Sequence, residues 1–243
     1  MQSASYAIQH RRILIVASLL AGLGLVLPFE AAQATSPKKT AKGGKAEAGE
    51  ASEPAAATSS PPPGSSPMAD LKKSNAALKK LFQRQSPSWS PERDVKGTEM
   101  RKIMDGFLDV EELAHRILAR RWDGLNPKQR TEFVGLLRDL IERNYIKQVH
   151  SQPNYDLRFH KESITGIEAT VDATLDTSHD GKKVAIEEEY KLLFKGSRWL
   201  AYDIMTDEQS MLENYRAEFN KIITKESFEA LLKRMKKQLE KAE

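Results

Sequence analysis

A chain without cysteine has neither a thiol nucleophile nor a thiolate metal site, and the spacing of its histidines and of Ser210 offers no helical zinc pair or hydrolase elbow in their place. The 243 residues contain no Cys, which removes thiol nucleophiles and thiolate metal sites, and with them a cysteine-linked lipid anchor. His115, His150, His160 and His179 lack the i, i+4 pairing with which a helix offers two imidazoles to zinc. Ser210 stands between Gln209 and Met211, without the flanking glycines of a hydrolase elbow, and reads as a helix start. Asp203 with Arg198 or Arg216 reads as a structural ion pair. The expectation is a protein that binds without catalysis: no enzyme, no cofactor and no metal.

The residues left to carry function are apolar. Phe133, Leu137, Ile141 and Tyr145 recur at helical spacing, whereas Leu157 with Phe159, and Tyr190 with Leu192 and Phe194, alternate along strands. A helix face set against one face of a sheet can enclose a cavity, so these nine residues are the predicted lining of an apolar pocket. The same periods also fill ordinary cores. Trp122 and Trp199 are read as core anchors.

Positioning those faces requires helices, then strands, then helices. Leu71, Leu78, Leu81 and Phe82 share a face from Asp70 to about Gln85, and a second helix runs from about Val95 through Met104. Asp109 with Glu112 forms a cap ahead of Val110, Leu113, Ile117 and Leu118, in a helix ending near Gly124. Asn126, Pro127 and Gln129 open a longer helix through Leu140 to Val149. Beyond Pro153 the period becomes two, at Tyr155, Leu157 and Phe159, then Val171, Ala173 and Leu175. The turn at Ser178-His179-Asp180-Gly181 leads to Tyr190, Leu192 and Phe194, and Lys195-Gly196-Ser197 leads into a fourth strand near Trp199. Helical spacing returns at Met211, Tyr215, Phe219 and Ile222, and again at Phe228, Leu231, Leu232, Met235 and Leu239. The predicted class is α+β: a four-stranded antiparallel meander covered by helices, with an apolar cavity between sheet and helices.

The N-terminus carries Arg11 and Arg12, an apolar run from Ile13 to Leu27 and then Ala32-Gln33-Ala34. That is the pattern of a secretory signal peptide over residues 1–34, too short in its apolar part for the ~20 residues of a membrane span. Residues 35–67 are rich in Ala, Ser, Pro, Gly and Lys and read as a disordered spacer. Residues 68–243 form the folded body, of ordinary single-domain size. The net charge of +4 is mild and the basic residues are interleaved with acids such as Glu187, Glu188 and Glu189, so nucleic acid is excluded as a partner.

Two stretches carry a resemblance. The first is Trp199-Leu200-Ala201-Tyr202-Asp203-Ile204, followed by Ser210-Met211-Leu212-Glu213-Asn214-Tyr215-Arg216 and Phe219. The second is Arg121-Trp122, Leu125-Asn126-Pro127-Lys128-Gln129-Arg130 and Phe133, with Asp105-Gly106-Phe107-Leu108-Asp109 upstream. In this order, over residues from about 90 to 243, they resemble the MlaC or toluene-tolerance family of periplasmic phospholipid carriers. The resemblance implies a soluble periplasmic protein that takes a phospholipid between an outer-membrane lipoprotein complex and an inner-membrane MCE-type ABC transporter complex; the periodicity of the nine residues above makes them the candidate lipid-binding set. The chain departs from the family at Thr206-Asp207-Glu208-Gln209, which is more polar; there Thr206 or Asp207 is predicted to cap the next helix. Two alternatives stay open. One is a carrier of another lipid, such as a hopanoid. The other is a protein-binding adaptor acting through Lys233, Arg234, Lys236, Lys237 and Lys241 on the last helix.

Overall fold

The computed structural model describes residues 60–83, 98–151, 155–179 and 181–240. Five helices come first: α1 Pro67–Gln83, α2 Thr98–Asp105, α3 Val110–Leu118, the single turn α4 Arg120–Asp123 and the long α5 Pro127–Ser151. Strands β1 Asp156–Thr165, β2 Glu168–His179, β3 Lys182–Lys195, β4 Arg198–Thr206 and the short β5 Gln209–Ser210 follow, and α6 Met211–Lys225 and α7 Phe228–Glu240 come last. The strands pair antiparallel in chain order, so the fold is the predicted α+β meander with a two-residue strand added. The predicted signal peptide, its cleavage site and the spacer up to residue 59 lie outside the described residues.

Caps set where the helices begin. At α5 the Gln129 amide donates to Asn126 Oδ1 at 2.9 Å while the Asn126 amide donates to Gln129 Oε1 at 3.0 Å, a reciprocal box with Pro127 in the first turn. Asp109 Oδ1 accepts from the Glu112 amide at 3.0 Å and opens α3. The helix predicted to run on to Gly124 instead breaks at Ala119, whose φ is 47°, and α4 restarts beyond it. The fully buried stripe of α3 ends at Leu118, and Trp122 of the next turn packs only partly against the core. Helix α1 starts earlier than the predicted Asp70. Ser66 Oγ accepts from the Ala69 amide at 3.1 Å, and Pro67 takes the first helical position.

That early start ties α1 to the sheet. Glu162 Oε2 of β1 accepts from Ser66 Oγ at 2.8 Å and from the Met68 amide at 2.9 Å, placing a negative charge at the helix N-terminus. Ser65 Oγ accepts from Trp199 Nε1 at 2.8 Å, and Asp70 Oδ2 from the Trp199 amide at 2.9 Å. Ser65 and Ser66, read from sequence as spacer, are therefore bonded to the folded body.

One face of the sheet is apolar. Ile186, Glu188, Tyr190, Leu192 and Phe194 alternate along β3, opposite Leu175, Ala173, Val171 and Ala169 of β2 and opposite Thr206, Ile204, Ala201 and Trp199 of β4. A bulge at His160 of β1 reverses the side-chain alternation: Leu157 and Phe159 share the apolar face before it, and Glu162 joins that face after it, where it meets α1. A second bulge falls at Tyr202. The free edge of β4 is covered twice. Residues 107–109 pair with Ala201 through two 2.8 Å backbone bonds, and β5 pairs with Met205 and Thr206.

Candidate functional site

All nine predicted residues belong to one continuous apolar cluster. Phe133, Leu137, Ile141, Tyr190, Leu192 and Phe194 are buried in it, and Tyr145, Leu157 and Phe159 pack at its margin. Within it they divide into two groups. The Phe133 ring lies 5.8 Å from Phe219 and 5.9 Å from Phe228, among the helices. Tyr190 lies 6.2 Å from Phe159 and 6.1 Å from Phe107, and Phe194 lies 5.3 Å from Trp199, over the sheet. Among the described residues the closest backbone neighbours of α5 include α3 and α7, while α1, α3 and α6 lie directly against strands.

Where α1, α5, β1 and β3 meet, the cluster turns polar. Glu188 occupies a position of the apolar face and is only 7% exposed. The Tyr190 hydroxyl donates to its Oε2. Burial drives the Glu188 carboxyl up to about 7, against the pull of the Tyr190 bond and with a further push from Asp207. Burial also raises the phenols of Tyr145 and Tyr155, which are hydrogen-bonded to each other and lie within reach of the Glu188 charge. At the rim, Tyr155 Oη donates to Asn75 Oδ1 at 3.4 Å. Lys79 Nζ stands 5.3 Å from the Tyr155 ring centre and 2.9 Å from Asp156 Oδ1.

Glu188 was not among the predicted site residues, because Glu187-Glu188-Glu189 reads as a charged surface run. Its parity with Tyr190, Leu192 and Phe194 was the available signal: on a strand, a residue two before a buried one shares its face.

A concave groove lies against β4 and α6. This groove of about 640 Å³ is lined by residues including Arg116, Lys191, Tyr202, Asp203, Leu212 and Arg216, and by none of the nine predicted residues. Its charges are matched from within the protein. Arg116 pairs with Glu112 at 2.6 Å and lies 3.9 Å over the Tyr202 ring. Arg216 donates to the Arg116 carbonyl at 2.8 Å and pairs with Glu213. Asp203 accepts from Ser210 Oγ at 2.7 Å and the Leu212 amide at 3.0 Å, with Lys191 Nζ at 3.8 Å. The ion pair predicted for Asp203 with Arg198 or Arg216 is thus replaced by one with Lys191. The predicted cap at Thr206 or Asp207 is also corrected. Asp207 and Glu208, with φ of 46° and 65°, form the β4–β5 turn, and Ser210 Oγ accepts from the Glu213 amide at 3.0 Å instead.

No cluster of described residues could hold a metal ion. His115 packs edge-on to Trp122 at 5.6 Å, and His160 Nε2 lies 2.6 Å from Thr174 Oγ1. No helix among the described residues is long and apolar enough to cross a membrane.

A family model described as MlaC protein matches residues 72–237, a span that includes α5, the whole sheet and α6. No curated protein matches the chain. Among solved structures, a phospholipid-binding protein from Ralstonia solanacearum in complex with a phospholipid has a TM-score of 0.59 at 15% identity, covering 73% of this chain and 98% of that one. At that identity the likeness concerns the fold.

Proposed function

The chain belongs to the MlaC family, and from that premise we propose that it binds a phospholipid without covalent chemistry, its acyl chains held between α5 and the apolar face of the sheet. The observation that carries this reading is the family match over the residues that build both walls. The similar Ralstonia solanacearum protein, which holds a phospholipid, supports it. The proposed contacts are Leu137, Ile141, Tyr145, Leu157, Phe159, Tyr190, Leu192 and Phe194; the ninth predicted residue, Phe133, packs among the helices against Phe219 and Phe228. Among the proposed contacts, Tyr145, Leu157 and Phe159 stand at the cluster margin, where a chain would enter first.

The energetics suit a carrier. Each methylene removed from water contributes about 0.8 kcal/mol, but a bilayer solvates it nearly as well, so the protein needs only to match the membrane. A pocket that held lipid far more tightly than a bilayer would not release it. Direction must then come from partners with different affinities for the loaded and empty forms. In this reading the partners are an outer-membrane lipoprotein complex and an inner-membrane MCE-type ABC transporter complex, and the protein works in the periplasm after cleavage behind Ala34.

Native mass spectrometry of the purified mature protein, before and after organic extraction, tests the reading. We expect about one phospholipid per chain, restored from labelled vesicles. Protein that carries no lipid and takes none up would contradict it in favour of an adaptor. A bound hopanoid would change the cargo and keep the carrier.

A further inference from the structure

Helix α1 carries the triplet Leu-Lys-Lys twice, at residues 71–73 and 78–80. The two copies lie two helical turns apart, so each residue type repeats on its own face. Leu71 and Leu78 are buried in the apolar cluster, where α1 lies against β1, β2 and β4. Lys72, Lys73, Lys79 and Lys80 share the opposite side, within about 120° of the helix circumference, with the exposed Ala69 and Ala76 among them. No acid stands on that side. Asp70, the only acid of α1, is turned to the sheet, where it accepts from the Trp199 amide at 2.9 Å. Lys72, Lys73 and Lys80 are exposed and have no acidic partner among the described residues; of the four, Lys79 alone is paired, with Asp156.

The other lysine-rich helix is built differently. On α7, Arg234 pairs with Glu226 and Lys236 with Glu132, and Glu229 and Glu240 share the helix with Lys233 and Lys237. The orientation of α1 is also fixed, because Glu162 accepts from Ser66 and the Met68 amide while Ser65 accepts from Trp199. Its lysines are thus held at one particular place. Lys79 Nζ stands 5.3 Å from the ring centre of Tyr155, and Leu157, on the same strand end, belongs to the margin of the apolar cluster.

We infer that the lysine side of α1 is the surface by which the protein docks on an anionic phospholipid bilayer, which sets the margin of the apolar cluster down beside it. The composition favours a bilayer over a protein. Protein interfaces are enriched in aromatic residues, Met and Arg and are poor in Lys, whereas this side offers lysines separated only by the methyl groups of two alanines. Lysine is a point charge on a flexible stem that demands no fixed partner geometry, and an anionic leaflet attracts clustered lysines without supplying one. Because the leucines of α1 are committed to the fold, the attachment is electrostatic and therefore reversible and salt-sensitive, as a carrier that must leave again requires. The surface lies outside the pocket, so this inference goes beyond the phospholipid reading and can fail without it.

The test is co-sedimentation of the purified mature protein with vesicles of mixed phosphatidylglycerol and phosphatidylcholine, and with vesicles of phosphatidylcholine alone. Wild type should pellet with the mixed vesicles at low ionic strength, stay in solution with phosphatidylcholine alone and be released by concentrated salt. The triple variant Lys72→Gln, Lys73→Gln and Lys80→Gln should bind the mixed vesicles about 100-fold more weakly, at about fivefold for each lysine. None of the three is a proposed pocket contact, so its bound phospholipid, counted by native mass spectrometry, should equal that of wild type. The triple variant Lys225→Gln, Lys233→Gln and Lys237→Gln, on α6 and α7, changes the net charge by the same amount and should lose far less. Wild type that ignores the mixed vesicles, or that stays on them in concentrated salt, overturns the inference, and so does an equal loss in the two variants. Protein that binds the mixed vesicles but carries no phospholipid keeps the docking surface and overturns the pocket.

Discussion

The groove against β4 and α6 and the corner around Glu188 both carry buried acid, yet they solve its burial in opposite ways. In the groove, Asp203 is bonded by Ser210 and Leu212 and faces Lys191, and each arginine is paired. Everything needed to hold those charges is in the chain, so the groove reads as the joint that fixes α6 on β4. In the corner, Glu188 sits on an apolar face among aromatic rings with no basic partner among the described residues. The lesson is that concavity alone does not mark a binding site; an unmet electrostatic requirement on an apolar wall is the more informative sign.

The comparison breaks first if the apolar cluster is not divided as its ring contacts indicate. Phe133 is fully buried against Phe219 and Phe228, so Phe133→Ala should cost about 3–5 kcal/mol in urea unfolding of delipidated protein. A loss below about 1 kcal/mol would place Phe133 beside open space rather than in a packed helical core.

The next largest effect is the pH dependence of the corner. The Glu188 carboxyl is raised in the fold from 4.5 to about 7, so the folded state holds its proton more tightly than the unfolded chain does. Its contribution to stability is full below about pH 4.5 and is lost as pH rises through about 7, by roughly 3 kcal/mol in total. Glu188→Gln should remove that loss. The stability of the variant relative to wild type should therefore rise between pH 4.5 and 8, measured on delipidated protein, and a flat difference would show that Glu188 is not desolvated. Glu218, also raised to about 7 by burial, acts with the same sign in both proteins and cancels in the difference.

The groove should give the smallest effect. Asp203→Ala leaves the Leu212 amide at the start of α6 without its acceptor, costing about 1–3 kcal/mol in thermal or urea unfolding. It should not change which phospholipid is bound. An altered headgroup preference in this variant would make the groove a ligand site and remove the contrast on which the account rests.

Much of this was legible in the sequence wherever a local rule decides the outcome. Asn126-Pro127 with Gln129 announces α5, and the bonds found there are the ones that pattern requires. Ser66-Pro67 is the same signal. The Pro- and Ser-rich composition before it masks that signal, because the same residues that cap a helix also make up a spacer. The alternation of Tyr190, Leu192 and Phe194 located the apolar face of β3, whereas the three acids beside it concealed that Glu188 shares that face. The bulges at His160 and Tyr202 leave no mark on a period-two count, since an extra residue shifts the pattern only once the partner strand is known. Ser210 reads as a helix start and does cap α6, but Thr206 and Asp207 offer the same chemistry a few residues earlier, and only the β4–β5 pairing shows that Asp207 turns the chain instead. The ring contacts that set Phe133 apart from Tyr190 depend on α6 and α7, far along the chain.

The central claim is that lipid lies between α5 and the apolar face of the sheet. Photocrosslinking with a phospholipid carrying a photoreactive group along one acyl chain, followed by peptide mapping, tests it most directly. The account predicts adducts within residues 137–145, 157–159 and 190–194, the segments that carry the eight proposed contacts. Adducts confined to Arg116, Tyr202 and Leu212 would put the lipid in the groove and contradict it.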